Sequence, residues 1–210
     1  MDLTSFARHN SSPEPAHLAA LRRATWQRTR HGRLMTDADT GRFLTMVSRM
    51  LQPGTILELG TFTGYGTLCL LEGLADDGIL HTVERNDELF ELQDEHWSRH
   101  ARGTAIRRHH GEALEVLSDW PRDAPIDLAY IDADKQGVVA QLDMLLPWMA
   151  PRGWMLFDNT WWSGTLDGPD AATGPKPDAL RALNERLRSD ASLQTVVLPV
   201  GDGLTAARKV

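Results

Sequence analysis

From Thr55 onward the chain repeats one rhythm: a short apolar run, a glycine or acidic break, then a longer segment with apolar residues three and four apart. The short runs predict strands at 55–59, 79–84, 104–109, 126–131 and 153–158, and the longer segments predict helices at 65–75, 87–101, 112–120 and 136–149. Strands separated by helical segments specify a parallel sheet wrapped on both faces, an α/β fold. Upstream, Pro13 and Pro15 open a helix to about Arg30, with Leu18, Leu21 and Ala24 or Thr25 on one face and Gly32 as its stop. A second helix fits Asp39 to Leu51 through Phe43, Val47 and Met50, and Pro53-Gly54 ends it. Residues 1–12 read as a loose arm. In the tail, a helix near 177–189 precedes two short strands, 194–200 and 204–208, around Gly201-Asp202-Gly203, which predicts a hairpin and one reversed strand. The segment Ser163 to Pro177, rich in Gly, Pro and Asp, is the best candidate for a mobile loop.

Length and charge narrow the class. A chain of 210 residues fits one domain spanning 1–210. Cys69 is the only cysteine, so no intrachain disulfide can form, and its apolar helical surroundings place it in the core. A net charge of −7 without a long basic run argues against a nucleic-acid partner. Met1 to Pro15 is polar, unlike a signal peptide, and no apolar stretch approaches the roughly 20 residues of a membrane span. These features predict a cytoplasmic protein with no membrane partner.

The chemistry gathers at strand ends. Ile131-Asp132-Ala133-Asp134-Lys135 and Phe157-Asp158-Asn159 each close an apolar run. If the two strands are parallel neighbours, their acidic ends meet at the sheet edge where open α/β sheets place ligands. Asp132, Asp158 and Asn159 would then offer oxygen atoms to one divalent cation, and oxygen ligation suits magnesium, calcium or manganese better than zinc. The first strand runs into Glu58-Leu-Gly60-Thr61-Phe-Thr-Gly64-Tyr65-Gly66. Its glycines permit a tight turn and a close ligand approach, yet the spacing is not GxGxxG and no phosphate-binding lysine follows. The second strand ends in Glu84-Arg85-Asn86, an acid placed to accept ribose hydroxyls. Glu58 would repel a pyrophosphate and attract an amine. Ribose, amine and no phosphate describe S-adenosylmethionine.

With those residues in view, the chain resembles the cation-dependent small-molecule O-methyltransferases, the group containing catechol and caffeoyl-CoA O-methyltransferases. The resemblance runs from about Leu34 to Lys209. It rests on Met35-Thr36-Asp37-Ala38-Asp39, the Glu58–Tyr65 loop, Gly111-Glu-Ala-Leu114, Ile131–Lys135, Asp158-Asn-Thr-Trp-Trp-Ser-Gly164 and Gly201-Asp-Gly-Leu-Thr205, in that order. It implies a Rossmann-like, doubly wound sheet of seven strands with the last antiparallel, and a homodimer. By position it implies metal ligation by Asp132, Asp158 and Asn159, with Lys135 as the base. It implies contacts to the methyl donor from Thr36, Glu58, Gly60, Thr61, Glu84, Ala113 and Asp134, to which their neighbours Tyr65, Gly66, Arg85 and Gly111 are added. Ser163 falls near the acceptor, and Trp161 and Trp162 are assigned to its wall, which suits a flat hydroxylated aromatic. The implied activity is methyl transfer from S-adenosylmethionine to a hydroxyl of a catechol-like molecule.

Two departures from the family pattern stand out. Gly66 occupies a position that is usually serine, and Trp161 adds an indole beside the more usual Trp162. Plainer readings stand beside the chemical ones. Asp132 and Asp158 could cap helices, Lys135 could be a surface ion-pair partner, and Met35 could belong to the core or to the donor pocket. His109-His110 resembles a metal pair, but adjacent strand residues point to opposite faces, which favours a structural role. Trp26, Trp97, Trp120, Trp148 and Trp154 are read as packing or interface residues. A methyltransferase for a non-catechol natural-product hydroxyl is the nearest alternative. A donor-binding protein without catalysis and a dehydrogenase are more distant ones.

Overall fold

The structure is a computed structural model that describes residues 3–121 and 125–210, residues 3 and 4 by their backbone alone. Seven strands form one sheet in the order β3-β2-β1-β4-β5-β7-β6. They are β1 (Thr55–Leu59), β2 (Ile79–Glu84), β3 (Ile106–His110), β4 (Ile126–Ile131), β5 (Met149–Asp158), β6 (Leu193–Leu198) and β7 (Leu204–Lys209). β1 to β5 pair in parallel, and β7 runs antiparallel to both β5 and β6. The expected Rossmann-like sheet with a reversed last strand is therefore present.

Alternation along each strand divides the core in two. Leu57, Leu59, Ala129, Ile131, Met155, Phe157 and Ala207 pack on one face. That face is covered by α6 (Ala113–Ser118), α7 (Val138–Leu145) and α8 (Pro175–Ser189). Ile56, Leu80, Leu128, Tyr130, Leu156, Leu204 and Ala206 pack on the other. There they meet α2 (Ala16–Arg28), α3 (Ala38–Leu51), α4 (Tyr65–Leu71) and α5 (Phe90–Trp97). Cys69 is fully buried in this second core, as its sequence context predicts. Asp37 caps α3 by accepting from the backbone N–H groups of Asp39 and Thr40.

The N-terminal segment departs from expectation. Where a loose arm was predicted, Leu3–Asn10 forms helix α1. It is tied to α3 by the Arg8–Asp39 ion pair at 2.8 Å and by Arg42 Nε donating to the Ser12 carbonyl. Several helices are shorter than their apolar periodicity suggested. The 87–101 segment divides into a 3₁₀ turn at Asp87–Leu89 followed by α5, and Gly32 opens a 3₁₀ turn after α2. The Ser163–Pro177 loop ends three residues early, at Gly174, because Pro175 opens the first turn of α8. Arg181 pins this loop by donating to the carbonyls of Leu166 and Ala172. No helix among the described residues is long and apolar enough to cross a membrane.

Candidate active site

Register puts the chemical residues in one row. Leu59 pairs with Val83 and with Ile131, and Ile131 pairs with Phe157. The residues that follow, Gly60, Glu84, Asp132 and Asp158, therefore share the C-terminal edge of the sheet. The strand order reverses between β1 and β4, the point at which open α/β sheets leave a crevice. A cleft of about 1020 Å³ opens there. Its walls include Thr36, Gly60, Glu84, Arg85, Gly111, Ala113, Asp132, Asp134, Lys135, Asp158, Asn159, Trp162 and Ser163, together with Ala7, Arg8 and Ser11 of the α1 region.

The acidic end of the cleft is tightly bonded. Lys135 Nζ donates to Asp132 Oδ1 at 2.7 Å and to the Asp158 carbonyl at 3.2 Å. Asp158 is 6% exposed. Its Oδ2 accepts from Tyr130 Oη at 2.5 Å and its Oδ1 from the Asn159 N–H at 2.7 Å. Burial, and then the charge of Asp132, push the Asp158 carboxyl well above the ordinary carboxylate range, while Lys135 opposes the shift. Asn159 adopts φ 61°, a left-handed conformation that asparagine tolerates better than most residues. Ser163 and Trp162 also have positive φ, so the cleft rim is strained where it follows β5. The Ser163 N–H is held by Asp202 Oδ1 at 2.5 Å.

The glycine loop supplies the opposite end. Gly60 has φ 94°, and a Cβ there would lie 2.4 Å from the Asp132 carbonyl oxygen. Gly64 has φ 87°, and its Cβ would strike the Trp97 indole at 2.5 Å. Only glycine fits either position. Both oxygens of Glu84 are held by the backbone, Oε2 by the Phe62 N–H at 2.7 Å and Oε1 by the Asn86 N–H at 2.8 Å. Glu58 lies beneath the loop at 1% exposure. Its Oε2 accepts from Thr67 and Thr82, each at 2.5 Å, and burial pushes its carboxyl up to about 8.

Several residues predicted for the site lie behind it. Tyr65 is buried on the α2 side, with its hydroxyl donating to Glu14 at 2.7 Å, so it leaves the donor group. The hydroxyl of Thr61 bonds to that of Thr82 at 2.5 Å and is likewise turned inward. Gly66 is buried beside Glu58 and Thr36, and it acts by leaving them room. Trp161 is 57% exposed and packs over Gly164 and Gly203, so the extra indole does not narrow the cleft. Helix and loop faces decide these orientations, and spacing alone does not reveal them.

The other aromatic residues are mostly structural. His109 stacks on His81 at 5.1 Å between centroids, while His110 meets Phe90 edge-on and reaches the Arg85 carbonyl. The adjacent pair thus diverges, as expected. Trp97 and Trp120 are buried, Trp148 and Trp154 are partly so, and Trp26 is 59% exposed. Sequence reasoning missed Tyr130. Its place two residues before Asp132, on the face opposite Ile131, was the available signal.

Fold and cleft together define a Rossmann-like α/β protein with an acidic sheet edge. The O-methyltransferase family profile matches residues 8–210. The chain is 34% identical over 186 residues to caffeoyl-CoA O-methyltransferase 2 of Zea mays, spanning 84% of this chain and 70% of that one. It is 31% identical over 208 residues to caffeoyl-CoA O-methyltransferase 1 of the same plant, spanning 94% and 80%. Among solved structures it is similar to the S-adenosylhomocysteine-bound Podospora anserina methyltransferase PaMTH1, with TM-score 0.88 and 24% identity over 99% of this chain and 94% of that one. It is also similar to the O-methyltransferase TomG of Streptomyces achromogenes in complex with S-adenosylmethionine, with TM-score 0.87 and 25% identity over 99% and 95%. The chain belongs to the O-methyltransferase family, and it is an S-adenosylmethionine-dependent enzyme of that class.

Proposed function

We propose that this enzyme methylates a hydroxyl of a catechol-like small molecule and requires a divalent cation held by Asp132, Asp158 and Asn159. The observation that carries the reading is the buried Asp158 carboxyl beside Asp132. Two carboxylates are brought together with one lysine between them, an arrangement that a further positive charge would stabilise. The donor set is all oxygen, which suits magnesium, calcium or manganese. These residues therefore fit the cation.

When bound, the cation lowers the pKa of an acceptor hydroxyl and fixes its oxygen. S-adenosylmethionine supplies the methyl group on a sulfonium. In this reading Glu84, with its carboxylate fixed by two N–H groups, receives the donor's ribose hydroxyls. Thr36, Gly60, Arg85, Gly111, Ala113 and Asp134 line the donor's part of the cleft. Glu58, buried beneath the glycine loop, would attract the donor's amine once ionised, a form that the positive charge of the bound donor favours over the proton it holds in the empty site. Lys135 receives the acceptor proton at Nζ or, when charged, stabilises the resulting oxyanion. Trp162 and Ser163 border the acceptor. Holding the two reactants in line contributes several kcal/mol of barrier reduction. The homodimer implied by the family resemblance is part of the proposal.

The test is incubation with methyl-labelled donor, a catechol and magnesium. Transfer that disappears with chelator and in Asp158→Ala supports the proposal. Undiminished transfer after metal removal overturns the cation requirement. Transfer to monohydroxy acceptors but to no vicinal diol overturns the acceptor class.

A further inference from the structure

A second cluster of ligand-type side chains lies away from the cleft. His17 stands in the first turn of α2, Glu72 follows the last residue of α4, and His100 lies in the turn after α5. None of them lines the cleft. α4 leaves the sheet's C-terminal edge and runs back across it, and His100 comes shortly before β3 begins. The cluster thus sits toward the opposite edge of the sheet.

We propose that His17, Glu72 and His100 bind a transition-metal dication of the zinc type. Glu72 Oε1 lies 3.7 Å from His17 Nε2 and 3.3 Å from His100 Nε2, and one ligand atom from each residue falls within 4.8 Å of the others. Around a tetrahedral ion with ligands at about 2.0–2.1 Å, neighbouring ligand atoms stand about 3.3 Å apart. The Glu72 edges already approach that spacing, so closure needs only a small inward movement of His17.

His17 Nε2 supplies an independent observation. It is buried and has no hydrogen-bond partner. A buried nitrogen left without a partner is an exception in folded proteins and calls for a bonded neighbour. Burial also holds His17 below its ordinary pKa, which favours the neutral imidazole that a metal requires. Arg49 binds Glu72 Oε2 at 2.6 Å, fixing the carboxylate with Oε1 toward the two rings. The ring centroids are 5.5 Å apart at 63°, an edge-on approach. Coordination through His100 Nε2 moves its proton to Nδ1, which gives up the 3.2 Å bond from the Arg102 N–H. Imidazole nitrogens select zinc, cobalt, nickel or copper over magnesium, so the two sites differ in the ion they take. The ion would clasp α2 to α4 and to the turn after α5.

Chelator-stripped protein is titrated with cobalt(II) in excess magnesium, added to fill the oxygen-ligand site proposed above. The expected result is one equivalent bound with a visible d–d absorption band, displaced by zinc. Affinity should fall at least tenfold in His17→Ala and Glu72→Gln and stay unchanged in Asp158→Asn. His17→Gln keeps the test open should the alanine variant unfold. No saturable binding overturns the proposal. So does binding that survives both His17 variants or disappears in Asp158→Asn.

Discussion

Tyr130 Oη donates to Asp158 Oδ2 at 2.5 Å. Both side chains are buried, and the tyrosine hydroxyl also meets Thr36 Oγ1 at 3.5 Å. Burial and the Asp158 charge hold the phenol protonated, with its pKa raised well above normal, so it serves as a fixed donor. It orients a proposed metal ligand from behind.

Tyr130→Phe should leave that carboxylate oxygen without its donor. Hydrogen bonds to ligating groups are typically worth 10–100-fold in metal affinity. The magnesium concentration giving half-maximal activity should rise by about that factor. The melting temperature should also fall, because a bond to a charged group contributes about 1.5–3 kcal/mol. An unchanged magnesium dependence would remove Tyr130 from the site.

Gly66 is explained by crowding. A Cβ there would lie 2.7 Å from Glu58 Oε1 and 3.2 Å from Thr36 Oγ1. Gly66→Ala gains up to about 1 kcal/mol of helix propensity, whereas overpacking a filled site costs about 1–3 kcal/mol. The second effect should win, lowering the melting temperature. Displacing Glu58 should also weaken donor binding, which calorimetry would measure.

Glu58 gives a signed pH effect. Its folded carboxyl is raised to about 8, above the unfolded value, so the folded state holds a proton that the unfolded state has released. Its contribution to stability should be fully present below about pH 4 and decline as pH rises toward 8. Glu58→Gln should flatten this decline in denaturant melts. The same variant should bind the donor at least tenfold more weakly if the carboxylate attracts the donor's amine. Unchanged donor affinity would exclude that role.

His81 acts in the opposite direction. Burial, and then the neighbouring His109, lower it to about 4, while an unfolded histidine titrates near 6.5. Between those values the unfolded state binds the extra proton, so stability should fall on acidification from about pH 6.5 to 4. His81 Nδ1 and His109 Nε2 share a 2.8 Å bond that permits only one proton between them. His81→Gln should reduce this acid sensitivity, as read from melting temperatures across the range.

The sequence by itself determined the sheet and the acidic edge. Apolar runs ending in Asp132 and Asp158 identify parallel strands, because a strand buried on both faces has no other place for a charge than its end. The glycine loop was equally legible, since the tight turn at Gly60 excludes any side chain. Helix ends were less so, because the 3₁₀ turn before α5 depends on local hydrogen bonds that periodicity does not record. Tertiary structure alone decided which way side chains near the site turn. Tyr65 and Trp161 adjoin the predicted site in sequence yet face α2 and solvent. Tyr130 gained its partner only when β4 and β5 were set side by side. Arg8 brought α1 to the cleft, and residues 17, 72 and 100 came together across three separate elements. Strand order and periodicity are written in neighbouring residues, whereas these contacts form between distant ones and exist only once the chain has packed.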